Sequence, residues 1–97
     1  MPISRKTPKA REDLLEIWLY TYQRWGEQQA DRYLYELGTA FKLLSESPLI
    51  CHLREEISPP VRIYHFNHHM IVYTETEGGI DIIRVLHNRI DYEDKLG

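Results

Sequence analysis

Apolar residues recur at helical spacing through the first half of this chain and at strand spacing through the second. Ala10, Leu14, Ile17, Trp18, Thr21, Tyr22 and Trp25 step along i, i+4, i+7 and i+8 and form one continuous helical stripe. Leu15 and Leu19 add a flanking row, so the apolar side is broader than a simple surface helix needs. Thr7 is placed to cap this helix. Pro8 suits its first position, where a missing N–H has no helical partner anyway. Gly26 breaks it. A second helix begins at about Glu27 and carries Ala30, Tyr33, Leu34, Leu37, Ala40, Phe41 and Leu44 on one face. Ser45-Glu46-Ser47-Pro48 ends it, because proline disfavours helical geometry in the residue before it. A break this short between two helices of about 17 residues forces them antiparallel, as an αα-hairpin.

Residues 48–60 read as a connection, bracketed by Pro48, Pro59 and Pro60 and kept wet by Arg54, Glu55 and Glu56. Three strands follow, at residues 61–66, 70–76 and 80–87. Asn67-His68 gives a tight turn, and Gly78-Gly79 a hairpin turn of the kind that needs positive φ. The short segment at residues 3–6 can add an edge strand. The expected fold is α+β, of order β-α-α-β-β-β, with the helical hairpin packed on a small antiparallel β-sheet.

Composition narrows the function classes. At 97 residues and 42% hydrophobic, residues 1–97 make one domain with one core. A formal net charge of −3 gives no general drive toward nucleic acid or an anionic membrane. A single cysteine, Cys51, excludes an internal disulfide and suits a reducing cytoplasm. The first residues lack the apolar run of a signal peptide, and no window reaches the ~18–20 apolar residues of a membrane span.

Four stretches carry a resemblance. They are Pro8-x-Ala10-x-x-Asp13-Leu14-x-x-Ile17-Trp18; Trp25-Gly26-x-x-Gln29-Ala30-x-x-Tyr33; Leu43-Leu44-x-x-x-Pro48; and His69-x-Ile71-x-Tyr73 continuing to Ile82-x-x-Val85-Leu86-His87-x-Arg89-x-Asp91. In this order they resemble the ParE-type toxins of the RelE/ParE superfamily, from bacterial toxin–antitoxin pairs. Two loops depart from that pattern. Ser58-Pro59-Pro60 stands where such toxins often carry a Pro-Gly turn, and Asn67-His68 replaces a more usual small or basic pair. The resemblance implies function by binding. ParE-like toxins poison DNA gyrase, and a partner antitoxin neutralises them by wrapping its flexible C-terminal part around the toxin.

Each candidate constellation has a plain reading beside the functional one. His87 can be a capped strand-end residue and Arg89 a surface partner of Asp91, an arrangement that stabilises by only about 0–1 kcal/mol. Alternatively His87, Arg89, Asp91, Tyr92 and Lys95 form a target-inhibition surface. The extra row Leu15 and Leu19, with a sheet aromatic such as Phe66, is the candidate antitoxin-binding groove between hairpin and sheet; the plain alternative is that the sheet covers that row completely. His52, His65, His68 and His69 cluster in sequence, but no cysteine pair or carboxylate accompanies them at ligand spacing, so they read as solvated turn and strand residues. No metal or cofactor is expected. Cys51 beside His52 is adjacent in sequence, which is not the geometry that activates a nucleophile, and no catalytic group is assigned.

The expected function is therefore that of a cytoplasmic, non-enzymatic gyrase inhibitor, with an antitoxin and gyrase as partners and no direct contact with nucleic acid or membrane. The rival is a ribosome-dependent mRNA endonuclease like the RelE branch of the same superfamily, using Arg62, Arg84, Arg89 and Tyr92 to stabilise phosphate charge. The acidic balance, with Glu55, Glu56, Glu75, Glu77 and Asp81 around the sheet, argues against that rival. An inert toxin that only holds its antitoxin is a third reading.

Overall fold

The computed structural model describes residues 2–89. Strand β1 is Ile3–Lys6, and helices α1 (Pro8–Trp25) and α2 (Glu27–Glu46) follow. A short 3-10 turn, Pro48–Ile50, leads to β2 (Leu53–Arg54), β3 (Val61–Phe66), β4 (His69–Thr76) and β5 (Gly79–His87). The five strands lie in the order β1-β5-β4-β3-β2. The last three strands form the expected antiparallel meander, and β2 adds to its outer edge. β1 joins the opposite edge parallel to β5, which makes the sheet mixed. Two residues of strand at Leu53–Arg54 were too few to stand out in a connection that reads as polar and proline-bracketed.

The two helix signals act as expected. Thr7 Oγ1 accepts from the Ala10 N–H at 3.1 Å, and Pro8 occupies the first helical position. Gly26 separates the helices at φ 90°, a backbone conformation that glycine reaches without strain. The β4–β5 turn falls on Glu77 and Gly78, with Gly79 opening β5 at φ 156°. A Cβ on Gly79 would stand 1.9 Å from the Ile3 carbonyl oxygen, so a bare backbone is what admits β1 alongside β5. At the β3–β4 turn Asn67 takes φ 53°, a left-handed conformation its short polar side chain tolerates.

The sheet is apolar on both faces. Alternate residues go to opposite sides. Ile71, Tyr73, Ile80, Ile82 and Val85 pack under the helices with Ala10, Ile17, Leu37, Phe41 and Leu44. Met70, Val72, Leu86, Val61 and Ile63 form a second cluster with Ile57 of the β2–β3 connection. The register between β4 and β5 slips at Val72/Tyr73, which pair with Arg84 and Ile82 and leave Ile83 as the extra residue of a bulge.

Helix α2 buries the face its pattern specifies. Helix α1 departs from its pattern. Its buried residues are Ala10, Asp13, Ile17 and Thr21, while Tyr22 and Trp25, counted in the stripe, stand exposed. The helix is turned so that a carboxylate sits in the interface. β1 pairs with β5 only as far as Ile82, and beyond it α1 takes over that edge. Thr7 N–H donates to the Ile82 carbonyl at 3.0 Å and Thr7 Oγ1 to the Ile83 carbonyl at 2.8 Å. Asp13 then accepts from the Val85 N–H at 3.0 Å and from Arg84 Nε and Nη2 at 2.7 and 2.9 Å.

Two stability changes follow. Leu37 has no exposed surface, and Leu37→Ala should destabilise by about 2–5 kcal/mol in denaturant melts. Tyr35→Ala, at a position 77% exposed, should stay within about 0.5 kcal/mol. Asp13→Ala strips two partners at once, leaving the buried Val85 N–H and the part-buried Arg84 guanidinium unpaired, so a loss of about 1–3 kcal/mol is expected in the same melts. A loss under ~1 kcal/mol would mean that water replaces the carboxylate without cost.

Candidate functional site

A cleft of about 1080 Å³ opens between the hairpin and the sheet. Its α1 wall carries Asp13, Glu16, Tyr20 and Trp25, its α2 wall Gln29, Tyr33 and Glu36. Its floor is the β3–β4 turn with His68 and His69, and the end of β5 from Arg84 through Arg89. Arg84 is fixed there by Asp13, which also raises its pKa.

Tyr33 and His69, far apart in sequence, meet at this cleft with the hydroxyl oxygen 2.5 Å from Nδ1. Burial pushes the Tyr33 hydroxyl up to about 12, against an opposing pull from the His68 backbone. Burial, and then the neighbouring His87 and His68, push His69 down to about 4. Whether the phenol donates to Nδ1 or accepts from it follows the tautomer of His69; the tautomer with its proton on Nε2 is the one that receives the Tyr33 hydroxyl proton. The His69 and His87 rings meet edge to face at 5.5 Å, and His68 stacks on His87 at 6.4 Å.

The residues expected to act from sequence are distributed unevenly. His87 is half-buried at the end of β5, and its Nδ1 accepts from the Arg89 N–H at 3.1 Å. Arg89 is exposed at the cleft rim. Asp91, Tyr92 and Lys95 lie outside the described residues. Leu15 and Leu19 are 60% and 43% exposed, one turn apart on α1. Phe66 instead packs into the main core, its ring 6.1 Å from that of Tyr33. A groove between hairpin and sheet does exist, but its lining is aromatic, acidic and histidine-rich and includes none of these three.

Two features escaped the sequence. Asp13 carried a signal, since it sits between Ala10 and Ile17 on the buried face, where a carboxylate must have a partner. The Tyr33–His69 contact carried none, because nothing in either segment points to the other. Among the described residues no group of three or more His, Cys, Asp or Glu side chains is placed to hold a metal ion, and no helix is long and apolar enough to cross a membrane.

The His69 shift has a sign that can be tested. Its pKa in the fold, about 4, lies below the usual value near 6.5, so the unfolded chain binds the proton first. This contribution to stability is fully present above pH ~6.5 and is lost as pH falls through the folded pKa. Urea midpoints should therefore drop between pH 7 and pH 4, and His69→Gln should flatten the drop. Equal slopes in both proteins would show that the imidazole does not titrate as its burial requires.

The likenesses to known proteins agree with this architecture. Residues 5–92 match the family of the ParE toxin of the type II toxin–antitoxin system parDE. The chain is similar to Toxin ParE1 of Mycobacterium tuberculosis, 42% identical over 91 residues that cover 93% of each chain. It is similar also to Toxin ParE1 of Caulobacter vibrioides, 32% identical over 93 residues and 96% of each chain. A solved structure described as the chromosomal ParDE TA system from P. aeruginosa shares the fold. It aligns with a TM-score of 0.75 over 90% of this chain and 96% of that one, at 20% identity. A family match over nearly the whole chain, full-length relatives and a shared fold place this protein in the ParE toxin family of type II toxin–antitoxin systems.

Proposed function

We propose that residues 1–97 form a single toxin domain that acts in the cytoplasm by binding DNA gyrase, without catalysis, and that a cognate antitoxin neutralises it. Target contact is assigned to His87, Arg89, Asp91, Tyr92 and Lys95. The observation that carries the non-enzymatic reading is the state of the arginines. The rival nuclease would need Arg62, Arg84 or Arg89 to meet a phosphate, and two of these three are committed within the protein. Arg84 is held by both oxygens of Asp13. Arg62 donates to the Cys51 carbonyl at 2.6 Å and to Glu75 Oε1 at 2.7 Å. Spending either on RNA would break a part-buried network.

Antitoxin contact is assigned to Leu15 and Leu19, with Phe66 as the sheet aromatic. The two leucines are large apolar side chains left on the surface by a helix whose core face points elsewhere, which is what a partner's apolar face recognises.

In a supercoiling assay, the purified toxin should inhibit gyrase. Its induction in cells should bring the SOS response and filamentation before translation falls. Ribosome-bound mRNA cleaved by the toxin, with gyrase unaffected, would move the protein to the enzyme class. Arg89→Ala should weaken gyrase inhibition partially, because binding energy is spread over a few anchors. Deleting residues 88–97 should abolish it, with the circular-dichroism melt retained. For the antitoxin, Leu15→Asp with Leu19→Asp should weaken the complex at least tenfold, about 1.4 kcal/mol, by calorimetry. Unchanged affinity in the folded double variant would rule the row out. Phe66→Ala should cost stability as well as affinity, since its ring is part of the core.

A further inference from the structure

Two histidines at the floor of the cleft each have one ring nitrogen engaged. Tyr33 occupies Nδ1 of His69, and the Arg89 N–H occupies Nδ1 of His87. Neutral His87 then carries its proton on Nε2, and His69 does so in the tautomer that receives the Tyr33 hydroxyl proton. Neither Nε2 has a hydrogen-bond acceptor among the described residues, and neither does the Arg89 guanidinium, which stands exposed beside them. Asn88 donates from Nδ2 to the Asn67 carbonyl and from its N–H to the His68 carbonyl.

We propose that this end of the cleft, at His69, His87 and Arg89, binds an oxyanion of the carboxylate or phosphate type. In that state the two imidazoles and the guanidinium offer N–H groups at this end of the cleft. The two rings are neighbours, their centroids 5.5 Å apart, edge to face. Charge across the cleft is mixed, with Glu16 and Glu36 on the helix walls and Arg89 at this end. Asp13, Glu16 and Tyr20 face the cleft from α1, Tyr33 and Glu36 from α2, His68 from the turn and Arg84 from β5. Asp13 is neutralised by Arg84. The charges that bear on His69 are those of His87 and His68.

The inference deepens the target-contact reading of His87 and Arg89 by naming the chemistry they would grip. Its readout is on the toxin alone, so a failed titration and a failed gyrase assay are distinguishable. Imidazole nitrogens of the full-length, 15N-histidine-labelled protein would be followed by NMR against inorganic phosphate and, separately, sodium acetate, at ionic strength held constant with sodium chloride. The expected result is a saturable shift at His69 and His87, at a single fixed pH of 7.5. Saturation with phosphate alone or acetate alone identifies which oxyanion the site takes. Arg89→Gln, an exposed change that leaves the fold intact, should weaken saturation several-fold, and His87→Gln should remove it. No saturation with either anion would overturn the proposal. So would a response equal to that of chloride, or equal shifts at His52 and His65, which lie outside the cleft.

Discussion

The placement of helix α1 depends on one carboxylate. β5 loses its parallel neighbour after Ile82, and the backbone beyond that point would face a helix with nothing to receive its Val85 N–H. An unpaired buried amide costs about 1–3 kcal/mol. Asp13 accepts that N–H, and the same carboxylate takes the Arg84 guanidinium with two further hydrogen bonds. Burying an ion pair is weak evidence for net stability, since desolvation offsets most of the attraction. What it fixes is geometry. The carboxylate has one rotation of α1 in which it reaches β5, and in that rotation Ala10, Ile17 and Thr21 pack inward. Tyr20 and Trp25 then border the cleft, and Leu15 and Leu19 stand on solvent.

That single constraint explains where the sequence pattern succeeds and fails. For α2 the stripe is apolar throughout, because the helix lies over the sheet and every inward position meets hydrocarbon. Spacing alone therefore identifies Ala30, Leu37, Ala40, Phe41 and Leu44 as buried. For α1 the interface is half polar, so counting apolar residues turns the helix the wrong way and places Tyr22 and Trp25 inside. The strands were legible because β-branched residues bounded by Asn67-His68 and Gly78-Gly79 admit one register of a meander. The parallel seat of β1 was less so: it depends on Gly79 lacking a Cβ against Ile3, a contact between the two ends of the chain.

The cleft was legible only in outline. His87 and Arg89 belong to it, and the tail motif drew attention to both. The rest of the cleft, Tyr33, His69 and Asp13, comes from three other elements, and the bonds Tyr33–His69 and Asp13–Val85 each span more than thirty residues. A local motif can mark one wall of such a site, but the opposing wall is supplied by topology.

The exposed leucine row and the cleft use different sides of α1, and this bears on how neutralisation could work. Ile17, which packs inward, lies between Leu15 and Leu19 in sequence but on the other side of the helix, as a 3.6-residue turn requires. An antitoxin that rested on Leu15 and Leu19 alone would leave His87 and Arg89 uncovered. On the proposed reading it therefore has two ways to silence the toxin. It can extend a second segment around the hairpin end, past the exposed Trp25, into the cleft. Otherwise its bulk on α1 must keep gyrase away from a surface it never touches. The chemistry of the two faces favours the extended segment. The row is apolar and suits one face of a helix, whereas the floor of the cleft offers N–H donors and asks for an acidic group. A single antitoxin chain with an apolar stretch followed by a carboxylate would satisfy both in order.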